Sequence, residues 1–117
     1  MFAHQGFWHK NWPDLTLKYE PVVETVGDPK VWCGTGEGTI ACAMRNLTDD
    51  RPSEILVTPD YRYNKCVLRH EFWHLKGYDH PNFDYSSPSC QDPTEATPQD
   101  IQQADDWTRR NDHETMH

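Results

Sequence analysis

Between Arg69 and Pro81 the chain reads RHEFWHLKGYDHP, and this stretch restricts the possible fold more than any other. His70 and His74 are four residues apart, so on an α-helix they lie on one face. Glu71 is turned from His70 by about 100°. Gly77 can adopt positive φ and take the chain sharply out of the helix. Three residues later, His80 can then return to the first two histidines. A fold that satisfies this order needs a helix, a tight turn and a reversal, in immediate succession.

Two imidazoles on one helical face can bind one ion at about 2.0–2.1 Å. His80 would be the third ligand, and three protein ligands leave a fourth position for water, which marks a catalytic site. Glu71 would stand beside the ion, close enough to take a proton from that water. This is the H-E-x-x-H arrangement of zinc hydrolases. With five positions fixed, a chance match is on the order of one in ten million per starting point.

HEFWHLKGYDH fits H-E-x-x-H-x-x-G-x-x-H and so resembles the metzincin clan of zinc endopeptidases. Pro81 follows the third histidine, as in serralysin-like members. The motif covers about a tenth of the chain. The resemblance implies one Zn2+ held by His70, His74 and His80, with Glu71 as general base and Gly77 as the turn. It also implies a twisted sheet ahead of the helix, whose antiparallel edge strand takes an extended peptide or protein substrate. Thr39–Met44 and Glu54–Thr58 are the two candidates for that edge. Tyr85 stands where some members place a tyrosine that stabilises the transition state; a packing or surface tyrosine is the plainer reading. Metzincins also carry a methionine-bearing turn beneath the zinc. Met116 is the only methionine downstream, so either it serves in an unusual way or DYSSPSC makes the turn without one. The chain is shorter than a full-length serralysin and would be a minimal catalytic core.

The 117 residues fit one domain, 1–117, with hydrophobic content of 35% and five tryptophans to build a modest core. A net charge of −8 argues against nucleic-acid binding, which needs clustered Lys and Arg. No apolar run is long enough to span a bilayer. The expected state is a monomer with no membrane partner. Four cysteines point to disulfides in an oxidising compartment, hence a secreted or periplasmic protein whose leader is not in this chain. Of the three possible pairings, Cys33–Cys42 and Cys66–Cys90 each close a short local loop. The second would tie the metal helix to the loop carrying His80. Reduced thiols, and Cys66 as a metal ligand or redox switch, are the rival readings.

Residues 1–13 are rich in aromatics and histidine without a period, and form a lid or docking arm. Asp14–Val26 alternates Leu15, Leu17 and Tyr19 as a strand broken at Pro21. Val31–Met44 reads as a hairpin around a Gly-rich turn at 34–38. Ser53–Asp60 is the clearest strand, stopped by Pro59. Asp60 or Asn64 caps a helix over Tyr63–Lys76, with Val67, Leu68, Phe72 and Leu75 facing the core. A loop covers 81–98. Thr97 and Pro98 open a last helix with an apolar stripe of Ile101, Ala104, Trp107 and Thr108. The class is α+β: a small, mostly antiparallel twisted sheet against an active-site helix and a C-terminal helix, zincin-like.

Other readings of the site remain open. A gluzincin-like peptidase would replace His80 by Glu95 or Glu114, and Asp79 is a further alternative to His80. A non-catalytic zinc-binding or partner-binding module, or an amidase acting on a cell-wall cross-link, is also compatible with the motif. His113 and His117 share a helical face, and His4 and His9 lie in the N-terminal segment; all four read as surface residues.

Overall fold

The computed structural model describes residues 8–33, 40–48, 50–80 and 91–113. In chain order the elements are β1 (His9–Lys10), β2 (Val22–Thr25), α1 (Pro29–Cys33), β3 (Ala41–Met44), β4 (Glu54–Val57), α2 (Lys65–Leu75), β5 (Tyr78–Asp79) and α3 (Pro98–Asn111). The class is α+β, as expected. β4 is the central strand of a three-stranded sheet ordered β2-β4-β3. It pairs parallel with β2 and antiparallel with β3. That sheet is therefore mixed, where a mostly antiparallel one was expected. β1 and β5 form a separate antiparallel ribbon.

Ser53–Asp60 behaves as read: β4 is followed by a 3-10 turn at Pro59–Tyr61. The strand expected over Asp14–Val26 is confined to its second half. The Asp14 carboxylate accepts from the Thr16 N–H at 2.8 Å and the Thr16 hydroxyl at 2.6 Å. That local bonding makes a turn and competes with extended structure. Leu17 consequently points outward and is 76% exposed. The first arm of the expected hairpin over Val31–Met44 is instead the short helix α1. Pro29 supplies a helical φ, and Asp28 accepts from the N–H groups of Lys30 and Val31. The Gly-rich turn itself lies outside the described residues.

Asn64 is the cap of α2, its side chain accepting from the Val67 N–H at 3.1 Å. Val67, Leu68, Phe72 and Leu75 are buried, and so is Trp73. Val67 packs with Ala41 and Val57 against the sheet. On another side of the helix, Phe72 stacks on Trp107 of α3 with centroids 4.9 Å apart. The α3 helix begins with a full capping box between Thr97 and Asp100. At the end of α2, Lys76 is buried, and its ammonium pairs with Asp14 at 2.6 Å and Asp100 at 3.1 Å and also bonds Gln103. This charge cluster joins the N-terminal segment, α2 and α3.

The Cys33–Cys42 disulfide forms as expected, Cα atoms 6.5 Å apart, and fastens α1 to β3. Cys66 is also disulfide-bonded; its expected partner, Cys90, lies outside the described residues, as do Tyr85, Met116 and DYSSPSC. Among the described residues no helix is long and apolar enough to cross a membrane.

Candidate metal centre

The helix α2 aims His70 and His74 along one face, as their spacing requires. Gly77 then ends the helix with φ of 106°. Its carbonyl accepts from the N–H groups of Asn11 and Trp12 at 2.8 and 3.1 Å. A Cβ at position 77 would overlap the Trp12 carbonyl oxygen, so close approach as well as φ demands glycine. The chain leaves Gly77 as β5, paired with β1 in the register His9↔Asp79 and Lys10↔Tyr78. Within the segment expected to be a lid or arm, His9–Lys10 is the strand that pairs with β5 just ahead of His80.

His70, His74 and His80 form a group that could hold a metal ion, their ligating atoms all within 4.8 Å of one another. Nε2 of His70 and Nε2 of His80 are 3.4 Å apart. Tetrahedral bonds of about 2.0–2.1 Å put neighbouring nitrogens about 3.3–3.4 Å apart. The ring centroids are 5.0, 5.2 and 5.0 Å from one another. Burial, followed by the proximity of His74 and His80, holds the His70 pKa down at about 3. At neutral pH that imidazole is uncharged and keeps a lone pair for a cation.

His74 is oriented from behind. Its Nδ1 lies 2.9 Å from Asp79 Oδ1 and 3.1 Å from the Tyr78 carbonyl. Both are acceptors, so Nδ1 carries the proton and Nε2 offers its lone pair to the cluster. Asp79, weighed above as an alternative ligand, thus binds the far nitrogen of a histidine and does not join the group. The carboxylate is itself fixed by the Trp12 indole N–H at 2.7 Å and by Arg45 at 3.2 Å. Arg45 also donates to the His74 carbonyl at 3.1 Å and lies over the Trp12 ring. Burial raises the Asp79 pKa, but the His74 bond, then Arg45 and Trp12, outweigh it and hold it at about 2.

Glu71 is buried next to this face. Burial pushes its pKa up, opposed in part by His74. It lies one turn beyond Val67, so it points to the side of α2 that packs toward β3. Trp8 is packed against all three imidazoles, with centroids 4.9–5.2 Å away. Neither the Asp79 bond to His74 nor the place of Trp8 follows from the motif. Trp12 and Arg45 are likewise far from it in sequence, and no period marks them.

Of the other candidates, Glu95 is exposed and outside the histidine group. His9 is exposed, and His113 is next to Asp112 at the helix end; His4, His117 and Glu114 lie outside the described residues. The chain matches no family model, no curated protein and no solved structure.

Proposed function

We propose that the chain is a zinc-dependent endopeptidase with a zincin-like arrangement of sheet and helix. The observation that carries this reading is a three-histidine group of ligating geometry with a buried carboxylate beside it. Three nitrogen ligands suit Zn2+, and a fourth position taken by water would make the site catalytic. A zinc ion held there would polarise a peptide carbonyl and lower the pKa of a water toward about 7.

Glu71 takes a proton from the attacking water and delivers it to the leaving amine. Its burial supports this role, because burial pushes its pKa up and so makes the carboxylate a better proton acceptor. Asp79 keeps His74 in one tautomer throughout. The substrate lies extended along β3. That strand is the sheet edge on the Glu71 side of α2, and among the described residues its outer side carries no further strand. Of the two candidate edges, Glu54–Thr58 is disfavoured because β4 is paired on both sides. An added strand would give main-chain hydrogen bonds, with side-chain pockets setting preference. The disulfide supports a secreted or periplasmic location.

The test is digestion of an unstructured peptide library by the zinc-loaded chain, with and without chelator. The wild type cleaves and the chelator abolishes cleavage. Glu71→Ala keeps its zinc but loses about 10²–10⁴-fold in rate. If zinc-loaded wild type cleaves nothing and Glu71→Ala behaves identically, the site is a binding module and the peptidase reading fails.

A further inference from the structure

The ring of Trp8 is 5.0 Å from that of His70, 5.2 Å from His74 and 4.9 Å from His80. The three imidazoles have nearly the same spacing among themselves. Four rings so placed mark the corners of a nearly regular tetrahedron, and the indole covers one side of the triad. Its interplanar angles of 55–78° are tilted or edge-on contacts, which aromatic rings favour. Trp8 is 7% exposed and belongs to the main core with Leu68, Trp73 and Leu75. Extending the β1–β5 register by one residue places it opposite His80.

The side it covers follows from its hydrogen bond. The indole N–H donates to the Gln91 carbonyl at 3.3 Å. The next residue, Asp92, is gripped by Arg69 at 2.7 Å and by the Trp73 indole N–H at 2.9 Å. On a helix, Arg69 and Trp73 lie about 100° and 60° to one side of His70, and Glu71 about 100° to the other. The indole is therefore anchored on the flank away from Glu71.

We propose that Trp8 is a positioning residue for the metal centre: packed on the flank opposite Glu71, it holds the three imidazoles in their ligating arrangement before an ion arrives. This rests on the reading of the three histidines as metal ligands. An indole suits the task because its nitrogen is a donor only and cannot take a ligand position. Rings already locked by packing lose less freedom on binding, which favours affinity.

The experiment compares wild type, Trp8→Leu and Trp8→Phe as full chains. Zn2+ affinity is read by competition with a chromophoric chelator, and site geometry by the visible spectrum of the Co2+-loaded protein. Trp8→Leu weakens zinc binding by about 10–100-fold, as loss of an outer-sphere partner does, and changes the cobalt bands; Trp8→Phe stays within about threefold. In metal-free wild type, the three histidines give single ring NMR resonances displaced by the indole ring current. That measurement decides the matter even if Trp8→Leu fails to fold: averaged, undisplaced resonances overturn the proposal. Unchanged affinity and cobalt spectrum in a folded Trp8→Leu also overturn it, even if its metal-free form melts earlier. Should wild type bind neither metal, the three-histidine reading itself falls; should it bind both while the Trp8 variants match it, only the positioning role falls.

Discussion

At the scale of single residues, the nitrogen that each imidazole turns toward the cluster decides what the centre can bind. Asp79 and the Tyr78 carbonyl both accept from Nδ1 of His74, leaving Nε2 for the cluster. Partners of this kind orient a ligand and raise its basicity, and losing one costs about 10–100-fold in metal affinity. Asp79→Ala is therefore expected to weaken zinc binding by about that factor while leaving the far-UV circular dichroism unchanged. An affinity equal to wild type would mean that His74 is held by packing alone. The sequence carried this residue type in the right neighbourhood, next to His80, but not its role. Spacing along a helix tells which histidines share a face; it does not tell which nitrogen of a ring is turned outward, because that depends on β5. Trp8, Trp12 and Arg45 were illegible for the same reason. They reach the site through pairing between segments 29 or more residues apart in sequence, and nothing local encodes such pairing.

At the scale of elements, the helix–turn–strand unit from α2 through Gly77 to β5 brings His80 to the other two. Its first two parts were readable because each has a local physical signature. Asn64 offers an acceptor to orphan N–H groups, the apolar residues of α2 recur at helical spacing, and glycine tolerates positive φ. β5 was not readable, since a two-residue strand exists only through its partner. The strand assigned to Asp14–Val26 failed where Asp14 bonds Thr16, which shows a side chain overriding an alternating pattern. Gly77→Ala is expected to be among the more damaging substitutions in this unit. The φ of 106° alone costs about 1–3 kcal/mol for a residue with a Cβ, and overlap with the Trp12 carbonyl adds to it. Urea denaturation should show the lost stability, and equilibrium dialysis should show reduced zinc binding as the β1–β5 ribbon shifts. A variant that keeps both would mean that the turn relaxes without moving His80.

At the scale of the whole molecule, two kinds of fastening secure the elements around the site: the disulfide from α1 to β3, and charge clusters joining α2, α3 and the N-terminal segment. Asp100 shows how the second kind depends on pH. Burial raises its pKa, but bonds from Lys76 and from the Thr97 backbone outweigh it, and the net value lies below the ordinary 3.8. A carboxyl whose folded pKa is depressed adds stability above its unfolded value, and that stability disappears as pH falls through the folded value. Asp100→Asn should therefore lower stability at pH 7 by about 1–3 kcal/mol, and the gap from wild type should narrow below pH of about 4. Urea midpoints at the two pH values check this; a gap that stays constant would assign the loss to the altered cap. The balance of acidic and basic residues was visible in composition, yet the burial of Lys76 was not, because it follows from three elements closing on one ammonium.

X-ray absorption spectroscopy of the zinc-loaded chain asks most directly whether three imidazoles hold an ion and leave one position open. The expected result is three imidazole nitrogens and one oxygen at about 2.0–2.1 Å, with the imidazole count reduced in His80→Ala. A sulfur neighbour, a fourth protein nitrogen, or a spectrum unaltered by His80→Ala would contradict an open, three-histidine catalytic centre.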